Sequence, residues 1–490
     1  MAVELLGAKM LAPFFGSSLY VWTTTLAMTL GALTSGYFVG GLLSVKPQRT
    51  RLLLLVLLIS AALIGLMPLS AGFLLNIIPL GNLWLGLFLA GLFILFPPIF
   101  FLGMVSPLII AELSAEIDAP GKAAGMIYAI STLGGILYTF LFGFWVIPAF
   151  GLSLPAVLSG LVLAVLTCFF LNQRRRLTTV LGILAASLCL LPFAQVAADP
   201  RRELKILSLR EGLLGQVMVS DYQEPGSQLK RRHLLVNRVI QTEYTPAASE
   251  PYSRYAHRLS QFAQAALERD SALVLGLGGG AVSNLLLRKA GFHQVDACEF
   301  DRRIYEAAQQ FFGLDPRVNV TIDDARYHLR QIKTKYSLVV FDLFRGEESP
   351  EHVLTLESLE QLKTNLSSKG LVFINSHGFV SGAAGNGNRS LIRTLKKAGY
   401  IVHLFATNPQ EVSSNLLILA ALEPETLEPV LKSATPDLTP IALPDMAQTY
   451  LLTDNHPVLN VLNTQASASW RKAYLQDMFR YREQGLPVFR

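Results

Sequence analysis

Four strand-like runs in the second half of this 490-residue chain each end on a residue that can hold a nucleoside. The first, residues 272–275, runs into Gly276, Gly278, Gly279 and Gly280 ahead of a helical segment. Glycines there let the backbone turn tightly and approach a ligand closely, while the next helix presents its first N–H groups. About twenty residues on, the run 295–300 delivers Glu299, an acid placed to accept both hydroxyls of a ribose. The third run, 318–322, ends at Asp323-Asp324-Ala325, and the fourth, 336–341, ends at Asp342. A glycine loop alone is a weak signal. Four consecutive strand ends carrying Gly, Glu, Asp and Asp read as a nucleoside-binding Rossmann-like domain. A Rossmann-like sheet whose pocket has decayed would leave the same pattern.

The elements that position these residues follow from periodicity. Short strands at 204–222 and 231–244 form a small β-module. Residues 252–267 read as a helix with Tyr255, Leu259, Phe262 and Ala266 on one face. Strands and helices then alternate, and the runs 370–375, 400–406 and 414–422 bring the count to a seven-stranded, mostly parallel sheet with helices on both faces. Ligands of such sheets sit at the carboxyl ends of the strands, where all the acids above fall. Residues 424–446 are Pro-rich and read as an irregular connection.

Residues 204–380 resemble the spermidine synthase family, within the S-adenosylmethionine methyltransferase-like superfamily. The resemblance includes Gly215-Gln-Val-Met-Val-Ser-Asp-Tyr222 and His233-Leu-Leu-Val-Asn-Arg-Val-Ile-Gln-Thr242 of the β-module. It implies that Gln241 borders the nucleoside, Tyr255 faces the amine substrate, Glu299 holds the ribose and Asp324 meets the adenine amino group. Asp342 would take the proton of the attacking amine. The implied co-substrate is decarboxylated S-adenosylmethionine, or S-adenosylmethionine itself, with Gly276, Gly278, Gly280, Asp323 and Ala325 lining its site.

This chain departs from the family pattern at three places. Gly279 stands where the family's glycine loop carries an Asp that grips the amine. Arg345 stands where a second Asp follows the fourth strand, and Ala256 where His or Gln follows the tyrosine. Two ammonium groups leaving water need carboxylate partners, so diamine recognition looks damaged while nucleoside recognition looks kept. Glu347 and Glu348 either compensate or belong to a solvated loop.

Composition places the rest of the chain in a membrane. Apolar residues make up 51%, charged residues 16%, and the mean hydropathy is +0.42. Segments 18–43, 52–75, 84–110, 123–148, 152–172 and 177–197 are each long enough to span, and 1–16 is a shorter piece broken by Pro13, like the second half of a helix. The fold class expected is therefore an N-terminal multi-span helical membrane bundle (1–198), a linker and β-module (199–250), a Rossmann-like domain (251–423) and a tail packed on it (424–490). Gly31, Ser35, Gly36, Gly40 and Gly41, then Gly125, Gly134, Gly135 and Gly143, would let the helices pack closely. Pro97, Pro98 and Pro107 should interrupt the third span. Glu4 and Lys9 could pair with each other or sit at the interface.

The segments Ala12–Trp22, Gly103–Pro107 and the turn at Gly151 resemble the membrane part of fused transporter/spermidine-synthase-like bacterial proteins, implying a multi-pass protein of a bacterial-type inner (plasma) membrane, with the bilayer as partner. Arg49 and Arg174–Arg176 mark cytoplasmic loops. A full crossing by 177–197 would then put the α/β domain outside, although sulfonium nucleosides are cytosolic; the side stays open.

Other partners are a small amine or polyamine and a possible second copy of the chain. No basic patch with interleaved aromatics points to nucleic acid. Cys168, Cys189 and Cys298 and eight scattered histidines show no metal-ligand spacing, so no metal is expected. The run Leu452-Thr-Asp-Asn-His-Pro-Val-Leu459 reads either as a closure over the site or as a plain turn. The chemistry left open is aminopropyl transfer with Asp342 and Tyr255 as catalytic residues, methyl transfer in the same pocket, or non-catalytic sensing or support of transport.

Overall fold

The computed structural model describes residues 2–171 and 204–470, apart from 16–18, 76, 79–82, 118–119, 213, 224–228, 249, 252, 345–348, 408–413, 434–439, 443–445 and 447–448. These residues divide into a helical unit before residue 172 and an α/β unit holding 204–208 and 217–470.

The helical unit runs α1 (Ala2–Phe15), α2 (Leu19–Ser44), α3 (Arg49–Leu74), α4 (Leu83–Ala90), α5 (Phe96–Ile117), α6 (Pro120–Leu141), α7 (Ile147–Phe150) and α8 (Ser153–Leu171). Four stretches are long and apolar enough to cross a membrane: Val21–Ser44, Arg49–Leu74, Trp84–Ser114 and Gly121–Phe150. Ser153–Thr167 is a shorter apolar helix, and the expected segment 177–197 lies outside the described residues. Glu4 and Lys9 both lie half-buried on α1.

The prolines do not break the third span as the sequence suggested. A π-helical turn, Gly91–Leu95, joins α4 to α5 just ahead of Pro97-Pro98, and its wider ring accommodates the missing donors. Helix α5 continues through Pro107. Gly103, four residues earlier, lies where a Cβ would stand 3.2 Å from Gly36 Cα of α2, and this packing holds the helix through the lost hydrogen bond. Only part of the small-residue pattern serves such contacts. A Cβ on Gly36 would meet Phe100 O at 2.3 Å and one on Gly40 would meet Met104 Cα at 2.7 Å, whereas Gly31, Gly41, Gly125 and Gly134 face open space. Arg49 Nε lies 2.6 Å from Glu112 Oε2 and ties the start of α3 to the end of α5.

The α/β unit begins with a five-stranded sheet in the order β1–β5: Leu204–Arg210, Val217–Gln223, Lys230–Val236, Val239–Thr245 and Glu250–Pro251, antiparallel from β2 to β5. Asn237 and Arg238 join β3 to β4 with φ of 49° and 66°, the left-handed pair that a two-residue hairpin demands. The main sheet has seven strands: β6 (Ser271–Leu275), β7 (Gln294–Glu299), β8 (Asn319–Ile322), β9 (Tyr336–Phe341), β10 (Leu366–Gly378), β11 (Ile401–Ala406) and β12 (Ser414–Ala421). Their spatial order is β11-β12-β10-β9-β6-β7-β8. Strands β6 to β10 are parallel, and β12 runs antiparallel between β10 and β11. This is a Rossmann-like fold of the methyltransferase type.

Helices cover both faces. On one, Phe262 of the helix Arg254–Gln264 packs on Phe405 and Phe373 at centroid distances of 4.8 and 6.0 Å. On the other, Leu359, Leu391 and Leu395 are fully buried. Residues 424–446 are less irregular than expected, since Pro424–Lys432 is a helix. Pro424 falls in its first turn, where a missing N–H costs nothing, and Leu427 and Val430 are buried.

Candidate functional site

The parallel strands deliver their chemistry at one edge. Gly276 follows β6 with φ +90°, and a Cβ there would stand 2.1 Å from Asp342 O, so only glycine lets the β6 and β9 ends lie this close. Gly278 and Gly280 also take positive φ. Gly280 opens the helix Ala281–Arg288, with its N–H donating to Leu277 O at 2.8 Å.

Glu299 ends β7 and is buried beneath this loop. Its Oε2 accepts from the Leu277 and Gly278 N–H groups at 3.1 and 3.4 Å, and its Oε1 from the Asp301 N–H at 2.9 Å. Burial pushes its carboxyl above the usual range, against the pull of the three N–H donors. The acid thus braces the glycine loop, and each oxygen keeps lone-pair capacity for a hydroxyl donor.

Asp324 caps the helix Ala325–Gln331, with Oδ1 accepting from the N–H groups of Arg326 and Tyr327 at 2.9 and 3.0 Å. Its Oδ2 lies 2.9 Å from His352 Nε2. Burial works against ionisation here, but the His352 contact and the two N–H groups outweigh it and hold the carboxyl low. Asp323 links the strand ends: its N–H donates to Glu299 O at 3.0 Å and its Oδ1 accepts from the Asp324 N–H at 2.8 Å. Ala325 is buried at the helix start.

Asp342 follows β9. Tyr255 Oη donates to its Oδ2 and Asn375 Nδ2 to its Oδ1, both at 2.8 Å. Asn415 Nδ2 in turn donates to Asn375 Oδ1 at 3.1 Å. Burial raises the Asp342 carboxyl, partly offset by Asn375 and Tyr255, and burial beside the Asp342 charge raises the Tyr255 phenol well above its ordinary value. A desolvated carboxylate with both oxygens oriented is a proton acceptor held in one position.

Gln241 lies at a bulge of β4, between the pairs Leu234↔Thr242 and Leu235↔Ile240. Its neighbour Thr242 accepts from the Gly279 N–H at 2.9 Å. A Cβ on Gly279 would meet Thr242 Cγ2 at 2.7 Å, so the threonine fills the place a side chain at 279 would need. Ala256 lies on the helix Arg254–Gln264, next to Tyr255, and is fully buried in the core. Arg345, Glu347 and Glu348 lie outside the described residues.

The 452–459 run forms a turn, with a bridge between Thr453 and His456, and it also holds the domain. Asp454 takes Arg326 through two contacts at 3.0 and 3.1 Å and accepts from Thr355 Oγ1 at 2.6 Å. Arg326 Nη1 also donates to His352 O at 2.6 Å, so the tail braces the residue that touches Asp324. Sequence reading missed Asn375, Asn415, His352, Arg326 and Thr242. Asn375 had a usable signal, as the polar end of a fifth strand. Among the described residues no group of three metal-ligating side chains comes together.

Residues 253–419 match the spermine/spermidine synthase domain family. A polyamine aminopropyltransferase of Vibrio vulnificus is 33% identical over 109 residues, 21% of this chain and 36% of that protein. An N-terminal histidine N-methyltransferase of Emericella nidulans is 28% identical over 196 residues, 36% of this chain and 34% of that protein. The chain therefore spans about a third of the length of these relatives. A probable spermidine synthase from Corynebacterium glutamicum aligns over 54% of this chain and 94% of its own at 12% identity, with a TM-score of 0.41.

Proposed function

We propose that the α/β unit is a spermidine synthase-like transferase that binds a sulfonium nucleoside of the S-adenosylmethionine type and moves its aminopropyl group to an amine. The helical unit anchors it as a multi-pass protein of a bacterial-type inner membrane. The observation that carries the reading is the chain Asn415–Asn375–Asp342–Tyr255 beside a glycine loop braced by Glu299. Glu299 takes the ribose hydroxyls, and the strand ends at Asp323 and Asp324 border the base. The amine nitrogen attacks the carbon next to the sulfonium, the C–S bond breaks, and the nucleoside leaves as a neutral thioether. The proton freed from the amine passes to Asp342. Holding the two reactants in line supplies most of the acceleration.

Gly279 favours a second reading. With Thr242 filling that place, nothing at 279 grips an aminopropyl ammonium, and methyl transfer from S-adenosylmethionine would use the same pocket. Mass spectrometry of the nucleoside product separates the two. The full-length protein in detergent is given S-adenosylmethionine or its decarboxylated form with a mixture of amines. Methylthioadenosine is the expected product, S-adenosylhomocysteine identifies a methyltransferase, and neither product leaves a binding module.

A further inference from the structure

We infer that the acceptor is a primary amine with one nitrogen and an apolar or aromatic body, and that Trp470 selects it; this rests on Asp342 receiving an amine, as proposed above. Asp342, just past the end of β9, and Asn375, within β10, stand side by side, joined by their 2.8 Å hydrogen bond. Residues two apart on a strand share a face and lie roughly 6–7 Å apart. His377 is two residues beyond Asn375 on β10 and so shares its face, and Phe344 lies in the segment that follows β9, two residues past Asp342. Both meet one indole. Trp470 stacks on His377 with centroids 4.4 Å apart and 19° between the planes, and meets Phe344 edge-on at 5.8 Å.

The segment that brings Trp470 is fixed to the unit. The Asn460 N–H donates to Glu351 at 2.6 Å, and Ala466 packs where a Cβ on Gly378 would come within 2.8 Å. The next station after the base is therefore an aromatic wall. Burial pushes the His377 imidazole down to about 4, so it is neutral near pH 7. A diamine would bring its second ammonium to this wall. Cation–π attraction there returns less than it costs to take an unpaired ammonium out of water. An apolar body gains by burial at the same place.

The test compares 2-phenylethylamine with putrescine as acceptors for the full-length protein in detergent, with W470A and W470F beside the wild type. The wild type is expected to favour 2-phenylethylamine by about tenfold or more in kcat/KM. W470A should erase that preference through KM, W470F should keep most of it, and nucleoside affinity should be unchanged in both. If W470A does not fold, W470F and the wild-type ratio decide. A wild type that prefers putrescine, or a preference untouched in W470A, overturns the inference and leaves amine transfer standing. Nucleoside binding without consumption of either amine overturns the amine reading and this inference with it.

Discussion

Tyr255 and Asn375 each hold one oxygen of Asp342 at 2.8 Å, from elements on either side of it in sequence. The two hydrogen bonds favour the carboxylate that burial disfavours. Asp342→Asn should lower turnover by about 10²- to 10⁴-fold while nucleoside affinity stays as it was. The base works ionised, so activity falls as pH drops through its raised pKa. Removing either donor, as in Asn375→Leu or Tyr255→Phe, raises that pKa further and moves the acid limb of the kcat/KM profile to higher pH. An acid limb that stays put in both variants would mean that Asp342 is not the titrating base.

Gly279 is a packed position rather than a vacancy. Gly279→Ala should cost about 1–3 kcal/mol, because the new methyl meets Thr242 Cγ2. Thr242→Ser removes that methyl and keeps the hydroxyl that receives the Gly279 N–H. The double variant should recover most of the loss in Tm. An unchanged Tm in Gly279→Ala would contradict the packing described here.

The tail clamp predicts a coupled effect. Arg326 is buried, whereas the Asp454 side chain is 40% exposed. Asp454→Ala should therefore cost about 1–2 kcal/mol, below the 3–5 kcal/mol of a fully buried pair. It should also weaken nucleoside binding, since Arg326 holds the His352 carbonyl and His352 meets Asp324. Calorimetry on the variant reads both effects, and a lower Tm with unchanged affinity would separate the clamp from the site.

In the helical unit Gly31 and Gly36 serve as a pair of opposites. Gly36→Ala puts a methyl 2.3 Å from Phe100 O and should destabilise the α2–α5 contact by roughly 1–3 kcal/mol, whereas Gly31→Ala meets nothing. Thermal unfolding in detergent should fall for the first and stay level for the second. Equal behaviour would remove the α2–α5 packing as the explanation.

The strand-end acids were legible in sequence because parallel strands all point their carboxyl ends to one edge. An acid that closes an apolar run is placed there by topology alone, and this put Glu299, Asp323, Asp324 and Asp342 on one edge. Apart from Tyr255 beside Asp342, the partners of those acids were not legible. Asn415 reaches Asn375 because β12 runs antiparallel beside β10, which no local pattern announces. His352, Arg326 and Asp454 meet through loops and a tail far apart in the chain. The prolines misled for a local reason: a π turn and close glycine packing absorb them, and neither shows in hydropathy. Likewise, Pro424 signalled a helix start where its abundance of neighbours suggested a loop.

The central claim is that Glu299 and the glycine loop hold a sulfonium nucleoside. Calorimetry on the full-length protein in detergent, with S-adenosylmethionine, its decarboxylated form and methylthioadenosine, tests it most directly. Micromolar binding of at least one sulfonium nucleoside by the wild type, lost in Glu299→Ala while the variant stays folded, is the result this account predicts. A folded wild type that binds none of the three would contradict it.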